Sequence, residues 1–187
     1  MNFNELYEIT DTFGSHASFN REECEALYNL CTTIPKGGHA LEIGVQFGRS
    51  LSVMGLVAKE RGFDIRAVDN WLEDVSVEAK PFVQEMIMKY DMPVTLLSMD
   101  SKEAAGFLDF LKFDLIHIDG DHTYEGVKTD IELWNKRVKK NGYMIFDDYG
   151  HDSLPDIYKA TQEFFTDNKE WEFVGRYGEK LGVFRKL

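Results

Sequence analysis

The chain has 187 residues, 43% of them apolar and 13% aromatic, enough for a sizeable core and short enough to be one domain over 1–187. Its formal net charge of −12 argues against nucleic acid and anionic membranes as partners, since either would repel such a surface. No run approaches the roughly 18 apolar residues of a membrane span, and Met1-Asn2-Phe3-Asn4-Glu5 lacks the basic and apolar parts of a signal peptide.

From Asn20 to Thr33 apolar and polar residues alternate with helical period, and Pro35-Lys36-Gly37-Gly38 closes that helix. Residues 1–35 are expected to form a helical cap on a core of residues 36–187. Cys24 and Cys31 lie seven apart on the helix, about 10 Å between Cα atoms, too far for a disulfide. Reduced thiols point to the cytoplasm. Strand-like and helix-like segments then alternate. Strands are predicted at Ala40 to Ile43, Ile65 to Val68, Val94 to Leu97, Leu115 to Ile118 and Tyr143 to Phe146. Helices are predicted at Arg49 to Arg61, Val77 to Tyr90, Ser101 to Leu111 and Tyr124 to Val138. Val138-Lys139-Lys140-Asn141-Gly142 reads as a basic helix end capped by Asn141-Gly142. Trp171 to Arg176 and Leu181 to Arg185, joined by Tyr177-Gly178-Glu179-Lys180, read as a terminal β-hairpin. Short apolar strands separated by helices imply a parallel sheet covered on both faces.

Leu41-Glu42-Ile43-Gly44-Val45-Gln46-Phe47-Gly48-Arg49-Ser50 reads as a strand, a tight turn and a helix start. Gly44 lets the backbone turn, and Gly48 is expected to remove a Cβ so that a ligand can reach the helix N-terminus. The spacing is not Gly-x-Gly-x-x-Gly, and no Gly-Lys-Ser/Thr follows, so a P-loop is excluded. Ligands of open α/β sheets bind outside the carboxyl ends of the strands. Those ends carry Glu42, Asp69, Asp100, Asp119, Asp121, Asp147 and Asp148. Clustered like charges are costly unless a cation or hydrogen-bond donors offset them. Asp119, Asp147 and Asp148 converging from adjacent strand ends would make a hard oxygen site for Mg²⁺, Mn²⁺ or Ca²⁺.

The glycine loop resembles motif I of the class I S-adenosylmethionine-dependent methyltransferases. Phe113 to Tyr124, containing Asp119-Gly120-Asp121-His122-Thr123-Tyr124, pairs with Gly142 to Tyr149, containing Asp147-Asp148-Tyr149. That pairing resembles the metal-dependent O-methyltransferases of catechol and sugar type, above all their small bacterial branch. The resemblance covers roughly Gly38 to Tyr149 and implies a Rossmann-like, mostly parallel seven-stranded sheet closed by an antiparallel hairpin strand, with helices on both faces.

The same resemblance implies S-adenosylmethionine and a divalent metal as cofactors and a small-molecule hydroxyl as methyl acceptor. It assigns Glu42, Gly44, Gln46, Gly48, Ser50, Asp69, Asn70, Trp71, Asp100, Ser101, Asp119 and His122 to the cofactor, and Asp119, Asp147 and Asp148 to the metal. Asp69 would accept the ribose hydroxyls. Trp71 could pack on the adenosine or equally lie in the core, and Asp100-Ser101 could touch adenine or simply cap a helix. The base is open between His122, which stands where catechol-type enzymes have a Lys, and Asp121, which matches the sugar enzymes. His117 reads as a core residue, and His151 as a loop residue. Lid segments are expected in the N-terminal helix, Trp71 to Lys80 and Gly150 to Asp156. Oligomeric state is not encoded in any visible pattern.

Three other readings compete, one of them an enzyme that uses another nucleotide in the same cleft. Ile118-Asp119-Gly120-Asp121-His122-Thr123 fits the Asp-x-Asp-x-Thr of haloacid dehalogenase-type phosphatases, with Asp147-Asp148 as distal acids. Four βα units precede it, however, and only 28 residues separate Asp119 from Asp147. A non-catalytic S-adenosylmethionine or nucleoside binder would keep the cleft without turnover.

Overall fold

The computed structural model describes residues 1–12, 19–72 and 74–187. Residues 13–18, in the expected cap, and residue 73, in the lid expected over Trp71 to Lys80, lie outside the described residues. The chain opens with α1 (Phe3–Asp11) and α2 (Arg21–Cys31), each started by a reciprocal capping box. The Asn2 and Asn20 side chains accept the backbone N–H of Glu5 and Glu23, whose carboxylates accept the Asn N–H in return. β1 (His39–Ile43), α3 (Arg49–Arg61), β2 (Asp64–Asp69), α4 (Asp74–Tyr90), β3 (Val94–Ser98), α5 (Ser101–Phe107), β4 (Phe113–Ile118) and α6 (Tyr124–Trp134) follow. A short 3-10 turn over Asn135–Arg137 leads into β5 (Val138–Phe146), then α7 (Pro155–Phe165), β6 (Trp171–Tyr177) and β7 (Leu181–Lys186).

The seven strands form one sheet in the order β3-β2-β1-β4-β5-β7-β6. β1 to β5 are parallel, and β7 runs antiparallel to both β5 and β6. The sheet matches the Rossmann-like arrangement that the family resemblance implies. Alternate residues of the central strands feed two separate cores. Ala40, Ile65, Leu115 and Ile145 join α2, α3 and α4 on one face, whereas Leu41, Ile116, Met144 and Phe146 join α5, α6 and α7 on the other. Chain connections leave β1 toward β2 on one side and pass to β4 on the other. The resulting switch point opens a crevice between β1 and β4 at their carboxyl ends.

The basic stretch after α6 is not a helix end. α6 stops at Trp134, and Val138 already pairs with Phe113 of β4. The register then shifts, so Leu115 faces Tyr143, and Lys139 reaches Asp114 at 2.8 Å. Asn141 turns this bulge with φ 65°, the left-handed backbone that also favours Asn-Gly in a helix cap. α5 likewise ends at Phe107, short of Leu111. Cys24 and Cys31 are free thiols buried in the core. Among the described residues no helix is long and apolar enough to cross a membrane.

Candidate active site

A cleft of about 1050 Å³ lies over the carboxyl ends of β1, β2 and β4 and the N-termini of α5 and α6. Asp69, Asp100, Asp119, Asp121, Glu125, Asp130 and Asp156 line it, with Lys102 and His122. So acidic a wall suits a cationic ligand or one rich in hydroxyl donors.

Gly44 leaves β1 with φ 83°, and a Cβ there would overlap the backbone carbonyl of Asp119 at the end of β4. The glycine therefore serves both the turn and the close approach of two strand ends. Gly48 behaves differently from its expected role. A Cβ on it would meet Val83 and Met86 of α4 at 3.1 Å, so its small size permits helix packing rather than ligand approach. It starts α3 in the left-handed region, with φ 74°.

Asp69 clasps the loop. One oxygen accepts the N–H of Val45 at 2.9 Å and of Gln46 at 3.0 Å, and the other accepts Trp71 N–H at 2.7 Å. A carboxylate has about four acceptor positions, so capacity for ribose hydroxyls remains beside these three bonds. Gln46, Asp69 and Asn70 line the cleft. Asn70 turns its own segment by accepting Leu72 N–H. Trp71 is 6% exposed, belongs to the core cluster with Ala79, Val83 and Met86, and does not line the cleft. Of its two readings the structure favours the core.

Glu42 and Ser50 also lie beneath the cleft surface. Glu42 is fully buried, bonded by the Ser50 hydroxyl and by His117 Nδ1 at 3.1 Å across the β1–β4 pair. Burial opposes a charged imidazole at His117, but the bond and charge of Glu42 overcome it and raise its pKa. These bonds link β1 to α3 and to β4, and neither Glu42 nor Ser50 lines the cleft. On the opposite wall Asp100 caps α5, accepting Glu103 N–H at 2.7 Å, and still borders the cleft. Ser101 donates to Asp130 and accepts from Trp134 Nε1 at 2.8 Å. Asp130 was not foreseen, since it sits mid-helix in α6 with nothing local to mark it. Burial and the charges of Asp121 and Asp100 push its carboxyl up to about 6.

Asp119 and His122 form the centre of the constellation. His122 Nε2 lies 3.2 Å from Asp119 Oδ1, and Nδ1 lies 3.7 Å from Asp148 Oδ2. The hydrogen bond to Asp119 raises the His122 pKa against the opposing effect of burial. Burial, reinforced by Asp147, pushes the Asp119 carboxyl up to about 6. Asp121 lies against α6 instead, where it accepts Thr123 N–H at 2.9 Å and a Cβ on Gly126 would overlap its carboxyl group. His151 is exposed and accepts Ser153 N–H at 3.3 Å. Three of the non-glycine residues with positive φ, Gln46, Trp71 and Asp148, sit just after β1, β2 and β5, as is common where a site over-determines its backbone.

The expected trio of metal-binding carboxylates is not assembled around a common centre. Lys180, from the β6–β7 turn, places Nζ 3.0 Å from Asp147 Oδ2 and 2.7 Å from Asp148 Oδ1. Asp119, His122 and Asp148 do offer one donor atom each within 4.8 Å of one another, but Asp147 is outside that group. Lys180 thus supplies a cation to the acid pair where the resemblance implies a divalent ion, although Asp147 Oδ1 stays buried without a hydrogen-bond partner among the described residues. Lys180 escaped sequence reading because a turn lysine 33 residues from Asp147 carries no local signal.

Comparison with known proteins agrees with this fold. The chain resembles over its whole length, in fold, an O-methyltransferase from Bacillus cereus solved with SAH (13% identity, 99% of this chain and 90% of that one, TM-score 0.69). It also resembles the O-methyltransferase NovP (17% identity, 92% and 83%, TM-score 0.72). A third similar structure is CalS11, a TDP-rhamnose 3'-O-methyltransferase of calicheamicin biosynthesis (16% identity, 98% and 92%, TM-score 0.66). An uncharacterized protein, R132, of Acanthamoeba polyphaga mimivirus is 34% identical over 72 residues, 38% of this chain and 33% of that protein. The match thus spans about a third of that relative. The profile described as a methyltransferase domain matches residues 41–149, from β1 through the acid pair after β5, which leaves the phosphatase alternative without support. The chain belongs to this methyltransferase domain family, and its fold is that of the class I S-adenosylmethionine-dependent enzymes.

Proposed function

We propose that the protein transfers a methyl group from S-adenosylmethionine to a hydroxyl oxygen of a small molecule. The observation that carries this reading is the placement of Asp69 and the Gly44–Gln46 loop on one side of the cleft and the Asp119–His122 pair on another. The loop and Asp69 would hold the methionine and ribose parts of the cofactor, and Asp100 would border the adenine. The acidic lining favours the sulfonium over neutral analogues.

The acceptor oxygen attacks the sulfonium methyl in line. A C–O bond forms as the S–CH3 bond breaks, S-adenosylhomocysteine leaves, and the acceptor proton passes to a base. His122 is better placed than Asp121 for that proton, since its imidazole is 35% exposed between Asp119 and Asp148. Asp121 is engaged by Thr123 N–H at the start of α6. Asp119 orients the ring and stabilises the imidazolium that forms. The divalent metal implied by the resemblance would have to share the acid pair with the Lys180 ammonium, and this chain's own residues suffice to take the proton. Positioning supplies most of the acceleration in such a reaction.

The test is methyl transfer from labelled S-adenosylmethionine to panels of sugars, phenols and small peptide-like acceptors, read by mass spectrometry. An O-methylated product lost in His122→Gln supports the reading. Tight S-adenosylhomocysteine binding with no transfer to any acceptor favours a non-catalytic binder.

A further inference from the structure

The Asp147–Asp148 pair has its own counter-cation, and the surrounding fold holds that cation in place. The Lys180 side chain is 6% exposed and bonds to both carboxylates. Its backbone is fixed as well. The Lys180 carbonyl accepts Tyr149 N–H at 2.8 Å, next to the acid pair. The preceding Glu179 donates its N–H to the buried carboxylate of Glu23 at 3.2 Å. Glu23 is itself locked by the α2 capping box, with Asn20 N–H at 2.8 Å. A Cβ on Gly178 would press on the Glu23 side chain, so this turn needs its glycine, with φ 58°, to lie against α2. Lys180 is thus a preorganised charge and not a surface lysine that happens to reach an acid.

Asp148 connects the ammonium to the cleft. Its Oδ1 faces Lys180, while Oδ2 faces His122 Nδ1 at 3.7 Å, from a backbone held at φ 52°. Two adjacent buried carboxylates repel one another, and an ammonium bonded to both offsets that repulsion. We propose that Lys180 is a positioning residue that takes the place of a divalent cation in this chain, holding Asp147 and Asp148 so that Asp148 aligns His122. This rests on the methyltransferase reading for its catalytic meaning, but its electrostatic content can be measured without turnover. Removing the ammonium should leave an uncompensated acid pair next to Asp119, which is a seat for a divalent ion.

The experiment titrates Mn²⁺ into the whole chain, followed by electron paramagnetic resonance, for wild type, Lys180→Gln, Lys180→Arg and Lys180→Gln combined with Asp148→Asn. Expected is no stoichiometric Mn²⁺ uptake by wild type or Lys180→Arg. Lys180→Gln should bind one ion about tenfold or more tighter, and the double variant should lose it. A wild-type chain that takes up one Mn²⁺ overturns the proposal. So does a folded Lys180→Gln that binds none, because the acids then form no cation seat. If Lys180→Gln fails to fold, the wild-type and Lys180→Arg titrations still decide, since uptake by either overturns the idea and absence in both supports it. S-adenosylhomocysteine calorimetry on the same samples reports separately on the methyltransferase reading, and its failure would leave the Mn²⁺ result standing.

Discussion

Replacing Asp69 separates the two jobs that one carboxylate performs here. In the structure it accepts three backbone N–H groups, from Val45, Gln46 and Trp71. Hydrogen bonds to a charged group contribute about 1.5–3 kcal/mol each. Gln46 is exposed, so its N–H regains water in a variant, whereas Val45 and Trp71 are buried and regain less. Because Asp69 itself is only partly buried, a discounted loss of about 2–4 kcal/mol is expected for Asp69→Ala. Asp69→Asn keeps acceptor capacity on one oxygen and should lose about half as much. Urea denaturation without cofactor measures this structural part. Calorimetry with S-adenosylhomocysteine on the folded variants measures the other part, expected at about 1.5–3 kcal/mol, or roughly ten- to 150-fold in affinity. An Asp69→Ala chain within about 0.5 kcal/mol of wild-type stability would refute the clasp. Unchanged affinity in a stable variant would remove Asp69 from the cofactor site.

Gly44→Ala adds a Cβ into the Asp119 carbonyl at a positive φ, so a loss of about 3 kcal/mol, or roughly 6–12 °C in Tm, is expected by calorimetric scanning. His122 must be neutral to act as a base, and its raised pKa puts the acidic limb of the rate profile above the ordinary 6.5. The rate should fall as pH drops through that limb, and His122→Gln should abolish the limb and cost on the order of 10²-fold; a limb that persists in the variant assigns the base elsewhere. Asp130 has a folded pKa of about 6, above its unfolded value near 3.8, so the native state binds the extra proton and stability declines as pH rises from about 4 to 6. Asp130→Asn mimics the protonated form and should be more stable than wild type at pH 7, by on the order of 2 kcal/mol, with the advantage vanishing near pH 4.

The parallel strands were readable because each is a short apolar run ending in an acid, and β1 to β4 begin within two residues of their expected starts. β5 was misread at its start because Asn141-Gly142 serves a bulge as well as a helix cap, and only the pairing of Val138 with Phe113 distinguishes them. α7 was missed, although Pro155 at its first turn was a usable start signal. Asp69, Asp100, Asp119 and His122 reach the cleft as their positions after strands suggest. Glu42 and Ser50 belong to the same motif but do not reach the cleft: strand alternation turns Glu42 to the side where His117 of β4 meets it, and Ser50, in the first turn of α3, donates to Glu42. Lys180 and Asp130 become site residues only through long-range packing, which no local pattern records.

The central claim is that this cleft binds the methyl donor through Asp69 without help from a metal. Calorimetric titration of S-adenosylhomocysteine into the wild-type chain, in the presence of a strong chelator, tests it directly. The account predicts one-to-one binding that is unchanged by the chelator and weakened at least tenfold or so in Asp69→Asn. Absence of binding to the wild type, or binding that appears only when a divalent ion is restored, would contradict it.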